Sequence, residues 1–182
     1  MKIAPYSPIQ KNLSRFESVK LLTTQKINPR INQKLTQNIL RKKSLRKIDL
    51  IITSNLLRAK ETAKFLTKNF IVDKGARIIN SSLLNEIKFK IGCSNKDYEK
   101  EKSNIIRKNF IELFIQDKLI DKRQEIQNKF TTFDRLIKKW EKSRNILCIS
   151  HTFFIKLYLI YRDNPHLFDN PKILWEYINP NE

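Results

Sequence analysis

The chain has 182 residues, 40% of them hydrophobic, enough to bury one sizeable core and too few for two ordinary domains. Thirty-seven Lys and Arg against 18 Asp and Glu give a formal net charge of +19, a field that attracts phosphates, nucleic acid or an anionic surface. Two cysteines exclude a disulfide framework, two glycines exclude a glycine-rich phosphate loop, and no apolar run is long enough to span a membrane.

Met1 to Asn12 hold Pro5 and Pro8 among polar residues, a poor strand that is expected to be an irregular arm. The same stretch has neither an apolar core nor a cleavage-like site, so the expectation is a reduced, cytoplasmic protein forming a single domain over 1–182. A short helix is predicted from Leu35 to Ser44. Between Asp49 and Thr53, Leu50, Ile51 and Ile52 follow one another, the continuous apolar run of a buried parallel strand. Leu56, Ala59, Ala63, Leu66 and Phe70 then recur at three and four residues, one stripe of an amphipathic helix that Ser54 or Asn55 can cap.

A second short strand is expected near Arg77 to Asn80. Ile105 or Ile106 with Phe110, Leu113 and Phe114 marks another helix, and Ile126, Phe130, Phe133, Ile137 and Trp140 mark a longer one. Ile146, Leu147 and Ile149 form a further buried strand, which includes Cys148 and runs through Ser150 and His151 into an apolar helix from Phe153 to Tyr161. Strands alternating with helices argue for an α/β layer structure around a mostly parallel sheet. The aromatics Phe110, Phe130, Phe133 and Trp140 occupy apolar stripes, where they serve a core rather than stack on bases, and the lysines are scattered. Sequence-specific nucleic-acid binding is therefore not expected, and neither is a membrane partner. The charge reads as a solvated surface rich in Lys and Asn.

In parallel sheets ligands bind at the carboxyl ends of strands, and both strand-to-helix switches put polar residues there: Ser54 with Arg58, and Ser150 with His151. A guanidinium in the first turn of a helix adds a bidentate donor to unpartnered backbone N–H groups, which makes an anion site. A phosphate held between Arg58 and His151 would explain both residues. Taken alone, each also has a plain alternative: Arg58 as a solvated helix residue, His151 as a structural histidine bonded to backbone.

The stretch Ile51-Ile52-Thr53-Ser54-Asn55-Leu56-Leu57-Arg58-Ala59-Lys60-Glu61-Thr62-Ala63 resembles the Ser-x-Leu-x-Arg-Ala-x-x-Thr-Ala segment of the histidine phosphatase superfamily. Ile149-Ser150-His151 is similar to that family's Ser-His after a buried strand, and Leu84-Asn85-Glu86-Ile87-Lys88-Phe89 to its Leu-x-Glu-Ile-x-Phe. The resemblance implies a phosphoglycerate-mutase-like fold, a three-layer α/β/α sandwich around a mostly parallel sheet. It implies that Arg58 and His151 contact a phosphate and that Glu86 is the general acid. It implies no metal and no cofactor, and a phosphorylated small molecule or phosphate as ligand. The competing reading of Glu86 is a solvated loop carboxylate, and Lys88 and Lys90 nearby would favour its ionised form.

The family's first motif, Arg-His-Gly at the end of the first strand, carries its nucleophilic histidine, which attacks phosphorus to give a phosphohistidine. A Leu-Thr or Leu-Ser usually follows about twenty residues on, and Leu35-Thr36 holds that spacing from Arg15. Arg15-Phe16-Glu17-Ser18 is thus the motif's counterpart, with Arg15 as a further phosphate contact, Phe16 in place of the nucleophile and Glu17 in place of glycine. Phenylalanine offers phosphorus no lone pair, so the expectation is a degenerate phosphomonoesterase with weak or lost activity. Two alternatives stand beside it: an active hydrolase using His151 as nucleophile, and a non-catalytic basic protein that binds RNA or another polyanion. The other histidine, His166, follows Asn164-Pro165 and reads as a surface turn residue. After Trp175-Glu176-Tyr177-Ile178 a final strand of the family is expected to be short or missing.

Overall fold

The computed structural model describes residues 14–26, 48–69, 72–101, 103–142, 144–170 and 173. The expected arm at 1–12, the helix at 35–44, the pair Leu35-Thr36, and the expectation for the chain beyond Ile178 lie outside the described residues. In chain order the elements are α1 (Arg15–Thr23), β1 (Ile48–Ser54), α2 (Leu57–Asn69), β2 (Val72–Ser81), a 3-10 turn (Ser82–Leu84), α3 (Asn95–Glu101), α4 (Ser103–Ile115), α5 (Arg123–Lys138), β3 (Ile146–Ile149), α6 (Thr152–Asp163) and a second 3-10 turn (Pro165–Phe168). The fold is α/β, with helices flanking a three-stranded sheet.

That sheet has the order β2-β1-β3 and is parallel throughout. The apolar run read in the sequence is its centre: in β1 every residue except Asp49 is buried, as a strand covered on both faces requires. Ile51 pairs with Ile78 on one side and Leu147 on the other. At the amino end, the Asp49 carboxylate accepts the backbone N–H of Asn145 at 2.9 Å, fixing the entry of β3. β2 extends well beyond the expected Arg77 to Asn80. Its Arg77, Ile78 and Asn80 are exposed, so its pairing with β1 over 77–81 follows from backbone hydrogen bonding where an apolar pattern does not predict it, and the register shifts between Val72 and Arg77.

The helix after β1 forms as its periodicity requires. Ala59, Ala63 and Leu66 are buried and pack with Ile48, Ile51 and Ile149, and the two alanines let the helix approach the strands closely. Phe70, the last residue of the expected stripe, lies outside the described residues.

By internal contacts the chain divides into two compact units, the first containing the described residues of 48–86 and 131–155, the second those of 14–26, 87–130 and 156–173. The first holds the sheet, α2, the later part of α5 and the start of α6. The second is a helical unit with an aromatic core. In it Phe130 and Phe168 are both fully buried with ring centroids 5.8 Å apart, and Phe168 meets Phe114 edge-on at 5.3 Å. Phe16 packs against Tyr98 at 5.1 Å, and the N–H of Phe89 donates to the carbonyl of Thr23. Arg123 donates to the carbonyls of Phe114 and Ile115, closing the carboxyl end of α4.

Residues 15–17, expected at the end of a strand, instead open a helix. Ser14 is its N-cap, its hydroxyl accepting the N–H of Glu17 while the Glu17 carboxylate accepts the N–H of Ser14. This reciprocal pair is a capping box, and it overrides an extended conformation at Arg15-Phe16.

Candidate functional site

The site is built within the first unit, at the carboxyl edge of the sheet. Thr53 of β1 pairs with Ile149 of β3, so the next residues, Ser54 and Ser150, leave the same edge together. Three consecutive residues after the 3-10 turn are stitched to this edge. The carbonyl of Leu84 accepts the Ser150 hydroxyl at 2.7 Å. The Oδ1 of Asn85 accepts both the Ser54 hydroxyl at 2.8 Å and the N–H of Asn55 at 2.9 Å. The carboxylate of Glu86 accepts the N–H groups of Phe154 at 2.9 Å and Phe153 at 3.4 Å.

His151 is wholly buried, its Nε2 lying 2.9 Å from the Ser54 hydroxyl oxygen. Its other ring nitrogen, Nδ1, is buried with no hydrogen-bond partner. The plain alternative, a histidine bonded to backbone, is not what the structure contains. Burial, and secondarily the positive charge of Arg58, push the ring down to about 2, so it is neutral at physiological pH. Arg58 itself is the second residue of α2 and is buried rather than solvated, with 6% of its surface exposed. Its backbone carbonyl accepts the Thr62 hydroxyl at 2.7 Å. Arg58, four residues past the end of β1, and His151, two past the end of β3, thus both follow paired strands out of the same edge of the sheet.

Glu86 is buried as well, not a solvated loop residue. The two N–H groups it accepts belong to the second and third residues of α6, which have no partner within the helix, so it caps that helix from a distant segment. Arg15 is the first residue of α1, and its side chain lies outside the described residues. Phe16 belongs to the core of the second unit. His166 is exposed in the last 3-10 turn, as expected of a turn residue. Cys148, pushed up to about 12 by burial, is no nucleophile at neutral pH. Among the described residues no group of His, Cys, Asp and Glu could hold a metal, and no helix is long and apolar enough to cross a membrane.

Sequence reasoning did not find Asn85, which the family pattern leaves as a variable position, nor the hub role of Ser54. The available signal was the row of polar residues at the strand ends: a buried Ser beside a buried His needs partners, and an adjacent Asn supplies them.

No family model matches the chain, and no curated protein matches it. Among solved structures, a phosphoglycerate mutase from Plasmodium falciparum is similar at 20% identity with a TM-score of 0.35. The match covers 79% of this chain and 65% of that one, so the chain spans less than two thirds of that mutase.

Proposed function

We propose that the chain is a histidine-phosphatase-like protein that keeps a phosphate site at Arg58 and His151 and has little or no phosphomonoesterase activity by the family mechanism. One observation carries the reading. A buried guanidinium in the first turn of α2 and a buried His151 ring whose Nδ1 has no partner both follow paired strands at the sheet edge where α/β proteins bind ligands. A buried polar atom left as Nδ1 is costs stability unless something else requires it, and an anion with a hydrogen to share would satisfy it while answering the charge of Arg58. The motif run 51–63 and the Ser-His at 150–151 support the same assignment.

Both residues are buried, so a ligand enters on local opening, and its apparent affinity is reduced accordingly. Weak turnover is inferred from the histidine count: the chain has two, and His166 is an exposed turn residue, which leaves His151 as the single buried candidate for a nucleophile. In the alternative where His151 attacks phosphorus, Nε2 would first have to leave Ser54 or Nδ1 become exposed. The test is calorimetric titration of the full chain with inorganic phosphate, alongside Arg58→Leu, together with metal-free hydrolysis of a generic phosphomonoester. Saturable binding lost in Arg58→Leu, with hydrolysis near the detection limit, is the expected result. Absence of binding, or robust hydrolysis abolished in His151→Ala, would overturn it.

A further inference from the structure

The hydrogen bonds around Ser54 fix where the protons of His151 lie. The side-chain atom of Asn85 that receives the N–H of Asn55 must be the carbonyl oxygen, because an amide nitrogen does not accept. Ser54 Oγ lies 2.8 Å from that oxygen, and two oxygens at this distance need one hydrogen between them. The only hydrogen available is the serine's own. Ser54 Oγ is then left as an acceptor, and it already takes the N–H of Leu56 at 3.1 Å. Its 2.9 Å contact with His151 Nε2 therefore needs a hydrogen from the ring. A neutral imidazole protonated on Nε2 has a bare lone pair on Nδ1, the atom that is buried without a partner.

We propose, on the reading that Arg58 and His151 hold a phosphate, that this site selects a tetrahedral anion still carrying a proton over one with none to give. Inorganic phosphate or a phosphomonoester as its monoanion belongs to the first class and sulfate to the second. The Arg58 guanidinium answers the charge of either anion. Nδ1 distinguishes them, because it accepts the P–O–H of a monoanionic phosphate and faces every oxygen of sulfate lone pair to lone pair. The ring does not supply the missing hydrogen itself, since burial and Arg58 hold it neutral. Glu86, whose carboxyl is also held at this edge, accepts the N–H groups of Phe153 and Phe154. The chain Asn85, Ser54, His151 thus acts as a positioning relay, with Asn85 setting the polarity of a ring it does not touch.

The experiment is titration of the full chain with inorganic phosphate and with sulfate at matched ionic strength, from about pH 5.5 to 8.5. Phosphate is expected to bind about ten- to a hundredfold more tightly than sulfate, the scale of leaving one buried polar group unanswered. Its affinity is expected to fall about tenfold per pH unit above the second ionisation of phosphate, near neutrality. Equal, pH-independent binding of both anions would overturn the selectivity and leave the phosphate site standing. Failure of both to bind would overturn the site itself. Asn85→Leu frees the Ser54 hydrogen to turn toward Nε2, so the ring proton moves to Nδ1 and the preference over sulfate should collapse. A preference that survives in the folded variant would exclude the relay. The unmodified chain offers a check independent of any variant, because it has two histidines and the His166→Gln spectrum assigns them. Two-bond nitrogen–proton spectra should show His151 as the Nε2–H tautomer, and an Nδ1–H ring would overturn the proposal.

Discussion

At neutral pH the folded chain keeps His151 uncharged, whereas the unfolded chain titrates it near the ordinary imidazole value of 6.5. Below that value the unfolded state binds a proton that the folded state refuses until about pH 2, so the stability involved is complete above pH 6.5 and drains as the pH falls. The slope is up to about 1.4 kcal/mol per pH unit. His151→Asn is expected to flatten this part of the acid limb, as denaturant melts at a series of pH values would show. A slope equal to that of the unmodified chain would mean that the ring is charged when folded. Glu86 makes a second residue-scale case, in which two jobs predict different readouts. As the cap of α6, its loss in Glu86→Ala strands the buried N–H of Phe154 and the half-buried N–H of Phe153 and should cost about 1–3 kcal/mol of stability. A residue serving only as general acid would leave thermal stability untouched, so a melting temperature unchanged in Glu86→Ala refutes the capping role.

Among the elements, what the sequence made legible was whatever buries a regular apolar pattern. The triplet Leu50-Ile51-Ile52 and the stripe at Ala59, Ala63 and Leu66 became β1 and α2 because one period of hydrophobicity matched one packing surface. Two helices were not read because they lack such a stripe: α3 is almost wholly polar around Tyr98, and α1 mixes polar and apolar residues without a clear face. Each nonetheless carried a capping signature three residues apart, Ser14 with Glu17 and Ser94 with Asp97, and the structure uses both. The motif alignment drew attention to Arg15-Phe16 as a strand end and away from that local signal. Of the candidate site, Arg58, Glu86 and His151 were legible as motif residues. Their connection through Asn85 and Ser54 was not, since it depends on which loop returns to which strand end. For α1 the consequence is testable. Ser14→Ala removes the cap and should cost about 0.5–2 kcal/mol. Joining Phe16→His to Glu17→Gly, which would write the Arg-His-Gly of histidine phosphatases at 15–17, breaks the capping box and puts a polar ring against Tyr98. A lower melting temperature is expected from it, and a rise would mean that residues 15–17 can adopt another conformation at no cost.

For the whole molecule the dominant quantity is the formal charge of +19, which must either serve a polyanion or burden the fold with its own repulsion. Among the described residues, the aromatics of the helix stripes lie in the interior: Phe110, Phe130 and Phe133 are each no more than 2% exposed. Trp140 is half-buried with Lys139 and Arg144 near its ring, an isolated cluster rather than a repeated platform. Charge with buried aromatics, as in the described residues, gives attraction without base readout. If nothing occupies that field, self-repulsion should be relieved by ordinary salt. Raising sodium chloride from about 0.05 to about 0.5 M is then expected to raise the melting temperature, since the screening length falls well below the spacing of surface charges. The same field predicts how RNA behaves. Association should be weak near 0.15 M salt and indifferent to sequence, with a shallow log–log salt slope, because each phosphate engaged releases condensed counterions and adds nearly one unit to it. A steep slope with submicromolar affinity for one sequence would mean that the lysines form a built surface, and the polyanion reading would then displace the phosphate one. Phosphate adds a distinction that screening cannot imitate. At equal ionic strength it should stabilise the chain more than chloride does, and Arg58→Leu should remove that excess while leaving the salt effect intact.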